Sequence, residues 1–569
     1  MKMKMKMKMA EGNWDPMESN SFVDGVRAGL TRRELAGALA MLASAISTGG
    51  CAQSGASTQG ASASTTAPLH GIVAAGAKPA ADAGAAILSA GGNAVDAIVA
   101  TAIAMAVVDP SNTSIMGRTH LLVLNASGEC DAIDGRSMVP AAWHAGDKAT
   151  DRAGVVPVGG NPRSFEHALQ RFGRLAMEQV CAPAIRLARD GFEVPSNLAR
   201  VWSRRVPVLQ RNPVAAKLFL KEGGLPYREG EVFRQPELAA SLSLYAKGGA
   251  DRFLNQALTR DLALLQAAGS KLTTEDFLAY RPIDAEYIHT RYRGWDVWTI
   301  GRQGYGFLVA QTLELLQAYD LRLMSAADRW ATMLVAQQVA FKGQRDEALG
   351  SNASSLLDRN RIQMLAQRVR AILQSSNASG LFELPPTKPG IPQDTTHISV
   401  VDAQGMVASM TESIGPHFGT GFASPNGYLF AHSYQMASGQ PDPDGRDVTS
   451  MLPTILRSPD GTLVALGAAG ADKIRGAVLR AIVNTVDLGM TAQQAVAEPA
   501  CVIHNGYVQA SRELDPSVRM HLQRIGVTPR MVGRSDGDHF GVLHVAKRHA
   551  DGSFSGGADT YWDGGTALV

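Results

Sequence analysis

The stretch AVDAIVATAIAMAVV, from Ala94 to Val108, is apolar nearly all the way round a helical wheel. A helix of that kind keeps no face for water, so protein must cover it on every side. Whatever this chain folds into therefore has layers, with the helix inside them. Local signals set its ends: Asn93 is placed to cap it, and Pro110 cannot continue it. Just ahead, Ala80 to Ala90 reads as another helix that stops at Gly91-Gly92, glycine suiting the left-handed position after a helix. At 569 residues the chain exceeds one compact core, so several domains or one large layered fold are expected. Apolar residues make up 45% and charged residues 19%, a globular balance. A formal charge of +2 gives no basic surplus, so no nucleic-acid partner is expected.

Helical patterns dominate residues 164–350, with Pro and Gly breaks between them. After Pro392 the texture changes. HISVVD, MVASMT, GYLF and TLVALG are short apolar, β-branched runs separated by DAQG, SPNG and SPDG turns, a pattern that predicts strands. HLLVLN at 120–125 with a hairpin partner at Cys130–Ile133, and FGVLHVAK at 540–547, also read as strands, and Ile474–Leu488 as a helix. Together these predict sheets covered by helices, an α+β layered fold.

Residues 1–51 read as an export signal rather than as structure. Behind a low-complexity start, Arg32 and Arg33 precede an apolar run from Leu35 to Ile46, which is too short to span a bilayer. The pattern resembles a Tat signal with a lipoprotein cleavage site, in which Cys51 is lipidated and the product lies in the periplasm or at the cell envelope. Thr48 departs from it, standing where such signals usually carry Leu. Residues 52–67 are Ser, Gly, Ala and Thr rich and suit a flexible linker. The remaining cysteines, Cys130, Cys181 and Cys501, are too scattered for a disulfide scaffold or a CxxC metal site. With no HExxH and no GxxxxGK[ST] either, neither a metal ion nor a cofactor is expected.

One run carries reactive chemistry: Asp394-Thr395-Thr396-His397, at the start of a predicted strand and behind the loop PPTKPGIPQ. A mid-chain threonine hydroxyl is a poor nucleophile unless a base is adjacent. If the peptide bond before Thr395 breaks, the freed α-amine sits on the same residue. With an ordinary pKa near 8, that amine is neutral often enough at pH 7 to take the hydroxyl proton. Alone, the tripeptide reads more simply as the start of an ordinary strand.

The surroundings reverse that reading. AADAGAAILSAGGNAVDAIVATAIAMAVVDP, the DGR at 134–136, QVCAPAIRLARDGFEV, DTTHISVVDAQGMVASMTES, SMLPTI at 450–455 and a G-x-x-G turn at 467–470 follow one another in a known order. In these motifs the chain resembles the γ-glutamyltranspeptidase family of N-terminal-nucleophile hydrolases over nearly all of residues 68–569. The resemblance implies a four-layer αββα sandwich. It also implies cleavage between Asp394 and Thr395 into a large subunit, 68–394, and a small one, 395–569, that stay together. It makes Thr395 the nucleophile and its amine the base. Thr411 and Ser413 lie two residues apart on one face of the next strand, Ser413 standing where the family has a threonine hydroxyl bonded to the nucleophile. Gly470 and Ala471 occupy the family's double-glycine turn, whose N–H groups stabilise the tetrahedral oxyanion.

For the substrate, the resemblance gives Arg136 the grip on the donor's α-carboxylate and aligns Thr449 and Ser450 with a serine pair that shares it. The amino end departs from the family. Gly415, Ser433 and Met436 stand where the family holds the donor's α-ammonium with Asn, an acid or amide, and Asp. Asp442, Asp444 and Asp447 are nearby acids that could replace the missing one. Gly117-Arg118-Thr119-His120 replaces a glycine-rich stretch, and the loop from Met436 to Arg446 is short. The expected donor is therefore an amide of a carboxylate-bearing acyl group without an α-amine, in the manner of the cephalosporin-acylase and oxamate-hydrolase branches. A γ-glutamyl hydrolase or transferase acting on glutathione-like donors is the alternative. Two rivals of other classes remain. One is a serine hydrolase built on Ser535 within Gly533–Gly537, which needs a helix after it where a strand pattern follows. The other is a tethered binding protein that has lost its pocket.

Overall fold

The computed structural model describes residues 70–149, 152–384, 395–533 and 539–569. The export signal, Cys51, the linker, Asp394 and Ser535 lie outside the described residues.

Two large antiparallel sheets form the centre. The first has seven strands in the order Gly565–Leu568, Gly71–Ala75, Thr396–Asp402, Val407–Ser413, Arg118–Leu124, Cys130–Gly135 and Ile283–Asp284. The second has six, in the order Phe554–Ala558, Val542–Arg548, Leu463–Ala469, Thr454–Arg457, Trp295–Ile300 and Tyr287–Tyr292. They lie face to face, and helices cover both outer surfaces. Strand alternation makes the layering visible in single residues. Val73, Leu121, Val123, Ile398, Val400 and Met410 join a core with the outer helices, whereas Ile72, Leu122, Leu124, Val401 and Val407 join the core between the sheets. This is the α+β, four-layer αββα arrangement.

The nearly all-apolar helix runs from Ala94 to Val108, and every residue of it is buried. Asn93 caps it as expected, accepting from Val95 N and Asp96 N, while Asp96 accepts from Asn93 N in return. Asp402, at the end of the Thr396–Asp402 strand, also accepts from Ala94 N at 3.0 Å. The cap thus fastens the helix to the strand that Thr395 leads. On the far side, Gly306–Leu316, Ala326–Phe341 and Lys473–Val486 back the second sheet.

Two expectations need correction. GYLF is not a strand: within residues 423–429 only an isolated bridge, Ala423 to Leu429, forms. Gly427 has φ +98, and a Cβ there would lie 2.3 Å from the Leu238 backbone, so this segment presses against a helix instead of a sheet. Its aromatic side chains then pack into the helix-side core. Conversely, the helical stretch conceals a hairpin, Tyr287–Tyr292 and Trp295–Ile300, that completes the second sheet. Its two-residue turn, Arg293-Gly294, takes positive φ at both positions, as tight hairpins require.

Candidate active site

The strand pair Thr396–Asp402 and Val407–Ser413 fixes the site. Register pairs Thr411 with His397 and Glu412 with Thr396, so the next step sets Ser413 opposite Thr395. On its other side Ser413 pairs with Arg118, and Thr411 with His120. The following strand pairs His120 with Asp134, so Arg136 continues the row beyond Arg118. Two rows therefore cross the sheet on the face between the sheets: Thr395, Ser413, Arg118, Arg136, and beneath it His397, Thr411, His120, Asp134. Directly opposed residues point to the same face.

The upper row opens into a cavity of about 1030 Å³. Thr395, Ser413, Arg118, Thr449, Ser450 and Ala471 all line it. Thr395 is 6% exposed, so the hydroxyl sits at a nearly closed end. Ser413 Oγ accepts from Gly415 N at 2.9 Å, which fixes its rotamer. The strand Leu463–Ala469 delivers the turn, where Gly470 (φ +126) and Ala471 (φ +54) both take positive values before the helix Lys473–Val486 begins. Consecutive N–H groups in such a turn form an anion-binding concavity. Ala471 thus tolerates the left-handed conformation that glycine adopts more cheaply. Gly470 has no such latitude, because a Cβ would stand 2.5 Å from His539 Cε1.

The lower row is a polar bridge between the sheets. Ser399 Oγ donates to His544 O at 3.1 Å, so it must accept from His397 Nε2, 3.0 Å away. That fixes the tautomer: Nδ1 carries no proton and accepts from Thr411 Oγ1 at 2.8 Å. Burial, then the neighbouring His544, pushes His397 well below the ordinary histidine range, so the ring stays neutral. Gly467 lies flat against this ring, where a Cβ would come within 2.3 Å of Cε1. Ser409 adds a second tie, donating to Leu466 O at 3.1 Å. The strand of Thr395 and the strand leading to the Gly470 turn are thereby held at one spacing.

At the recognition end, Thr449 and Ser450 reach the cavity lining. Arg136 is not among the residues lining the cavity, and its guanidinium is engaged by two acids: Nε lies 3.0 and 2.9 Å from the two Asp134 oxygens, and Nη2 donates to Asp134 at 2.8 Å and Asp444 at 3.0 Å. Asp447 accepts from Arg118 Nη1 (2.9 Å), Ser137 Oγ (2.9 Å) and Ser433 Oγ (2.7 Å), and is buried. Asp442 lines the cavity and accepts from Val448 N at 3.0 Å. Met436 is buried, and Ser433 caps the short helix Tyr434–Ser438 that walls the cavity. Arg118 was visible in the sequence as a departure but was not given a role. Arg475, stacked on Tyr305 and Phe341, is a further cation of the lining that no sequence signal marked.

Among the described residues, no group of three or more His, Cys, Asp or Glu side chains is arranged to hold a metal ion. Cys130, Cys181 and Cys501 are free, and burial pushes each thiol up, away from reactivity. The first helix or strand described beyond Ser535 is a strand, Val542–Arg548, where a nucleophile elbow would need a helix.

Face-to-face antiparallel sheets with helices outside, and a threonine leading a central strand into a cavity, mark the N-terminal-nucleophile hydrolase class. The chain belongs to the γ-glutamyltranspeptidase family: residues 80–569 match the family described as "Gamma-glutamyltranspeptidase". It is 30% identical over 474 residues to the glutathione hydrolase proenzyme of Escherichia coli strain K12, covering 76% of this chain and 80% of that protein. It is also 30% identical over 522 residues to the acylase ACY 1 proenzyme of Pseudomonas sp. strain SE83, covering 85% and 90%. Among solved structures, cephalosporin acylase from Bacillus halodurans shares the fold with a TM-score of 0.77 at 24% identity, over 90% of this chain and 98% of that one. The chain is thus an enzyme of a family of hydrolases and acylases.

Proposed function

We propose that this enzyme cuts its own backbone between Asp394 and Thr395 and then hydrolyses small amides of carboxylate-bearing acyl groups through an acyl-Thr395 intermediate. One observation carries the reading: Thr395, Ser413 and the Gly470-Ala471 turn, brought from three separate strands, converge on one cavity. In the cut enzyme the Thr395 amine takes the Oγ1 proton as Oγ1 attacks the amide carbonyl. The N–H groups at Gly470 and Ala471 receive the oxyanion, a contribution of roughly 3–4 kcal/mol per donor at such sites. The amine then returns its proton to the leaving nitrogen, and water repeats the sequence in reverse to free the acid. The large and small fragments stay together because each sheet is built from strands of both.

The absence of an acid at Gly415, Ser433 and Met436 supports donors without an α-amine. An ammonium deprived of one charged partner forfeits roughly 1.5–3 kcal/mol. Denaturing electrophoresis of the mature protein should show two fragments, and p-nitroaniline should leave glutaryl-p-nitroanilide faster than γ-glutamyl-p-nitroanilide. Faster release from the γ-glutamyl substrate would replace this reading with a glutathione-type hydrolase. We extend the proposal to location: Arg32-Arg33 and Cys51 support Tat export and a lipid anchor at the cell envelope. Cys51→Ala should then move the enzyme from the membrane fraction to the soluble periplasm.

A further inference from the structure

The proposed substrate class needs a cation to meet its carboxylate, and Arg136, paired with Asp134 and Asp444, is not among the residues lining the cavity. We propose that Arg118, one strand nearer the nucleophile, receives the acyl carboxylate; this rests on the amidohydrolase reading above.

Three observations place it there. Arg118 pairs with Ser413, which stands opposite Thr395, so its Cα lies two strand spacings, about 10 Å, from that of the nucleophile. It lines the same cavity. In the cross-strand row its backbone position is also nearer the nucleophile than that of Arg136, which is not among the lining residues.

The guanidinium is held rigid. Nη1 donates to Asp447 at 2.9 Å and Ser137 Oγ at 3.2 Å, Nη2 donates to the His432 carbonyl at 2.9 Å, and the group packs over the Tyr434 ring. Nε is buried and has no hydrogen-bond partner among the described residues. Asp447, its counter-ion, is also held by the hydroxyls of Ser137 and Ser433, with Gln435 N at 3.3 Å, so neutral donors share its charge. A cation fixed at the wall with a diluted counter-ion is preorganised for a second anion. It also sets a like charge against any donor bearing an ammonium in that place. Gly415 borders it: a Cβ there would lie 3.2 Å from Nη2, so the missing side chain leaves the guanidinium its room. A short diacid amide, glutaryl or similar, bridges the distance between the two ends.

The test compares glutaryl-p-nitroanilide with neutral butyryl-p-nitroanilide and with γ-glutamyl-p-nitroanilide in purified full-length protein. Their rate ratios do not depend on the fraction of active enzyme. For Arg118→Gln, kcat/KM on glutaryl relative to butyryl should fall at least about tenfold, the loss of one charge-assisted contact. Asp447→Asn, which strips the counter-ion, should move the same ratio upward by a lower KM for glutaryl. Arg136→Gln should leave it within about twofold, since that side chain makes no contact with the acyl group. If Arg118→Gln fails to fold, the rise expected of Asp447→Asn and the unchanged ratio expected of Arg136→Gln still decide. A ratio that collapses in Arg136→Gln, or survives in Arg118→Gln while wild type still prefers glutaryl, overturns the role of Arg118 alone. A wild type that prefers γ-glutamyl overturns the proposed substrate class itself.

Discussion

The strands Thr396–Asp402 and Val407–Ser413 present two faces with opposite characters. Toward the outer helices they offer Ile398, Val400, Ala408 and Met410, all buried in one apolar core. Toward the second sheet they offer His397, Ser399, Ser409 and Thr411, equally buried but polar and joined by hydrogen bonds. A buried polar network is costly unless every member is satisfied, whereas an apolar face need only pack. The polar face is the one that continues into Thr395, Ser413 and Arg118. One side of the sheet thus supplies stability, and the other keeps reacting groups in register.

Substitutions can break or sharpen that contrast. The largest effect is expected at Thr395. Thr395→Ala removes hydroxyl and chemistry together, so the chain should stay uncut and show no amide hydrolysis above background. Thr395→Ser should recover both, at reduced rate. A cut, active Thr395→Ala protein would remove the catalytic meaning of the polar face altogether. Next comes Gly467→Ala, whose Cβ would collide with the His397 ring. Moving that ring shifts the nucleophile strand against the Gly470 turn. Misplacement of about 1 Å at such sites costs on the order of a hundredfold in rate. The readout is kcat on protein already shown to be cut, and an unchanged kcat would reduce the His397 bridge to packing.

Much of this is legible in the amino-acid sequence. Asn93 and Pro110 delimit the buried helix through local rules, and the Thr396–Ser413 hairpin is local too, so strand pattern and turn chemistry sufficed. The elements that escaped were set at long range. GYLF has strand composition, yet its backbone is pressed on Leu238 and never meets a sheet edge. The Tyr287–Ile300 hairpin, with its Arg293-Gly294 turn, sat inside a stretch dominated by helix signals, although the alternation in WDVWTI could have revealed it. At the site, Thr395, Ser413 and Ala471 come together as motif order suggested. Arg118 and Arg136 could not be ranked from sequence. Which one faces the cavity depends on a register between strands nearly 300 residues apart, and on Asp134 capturing its neighbour's guanidinium.

On the apolar face the expected effects are thermodynamic. Met410→Ala leaves a cavity against the helices and should cost about 2–5 kcal/mol of stability, read as a lower denaturation midpoint, with kcat per folded molecule unchanged. A drop in kcat of the size expected for Gly467→Ala would erase the distinction between the faces.

The smallest effect belongs to a carboxyl on that apolar side. Glu412 lies between Thr411 and Ser413 but points the other way, accepting from Thr113 Oγ1 at 2.6 Å. Burial pushes its carboxyl up to about 8, the Thr113 hydrogen bond opposing the shift and nearby Asp109 adding to it. Asp109 is itself pushed up to about 6, chiefly by burial. Glu412 therefore binds its proton more tightly folded than unfolded, where a glutamate titrates near 4.3. Its contribution to stability is full below that ordinary value and is lost as pH rises through about 8. Glu412→Gln keeps the shape without the titration. Its denaturation midpoint should match wild type near pH 4, exceed it increasingly up to about pH 8 and then hold a constant lead, with the Asp109 slope of the same sign persisting in both proteins at lower pH. Parallel curves across that range would mean that Glu412 is ionised in the folded enzyme, and that a charge sits on the face assigned here to packing alone.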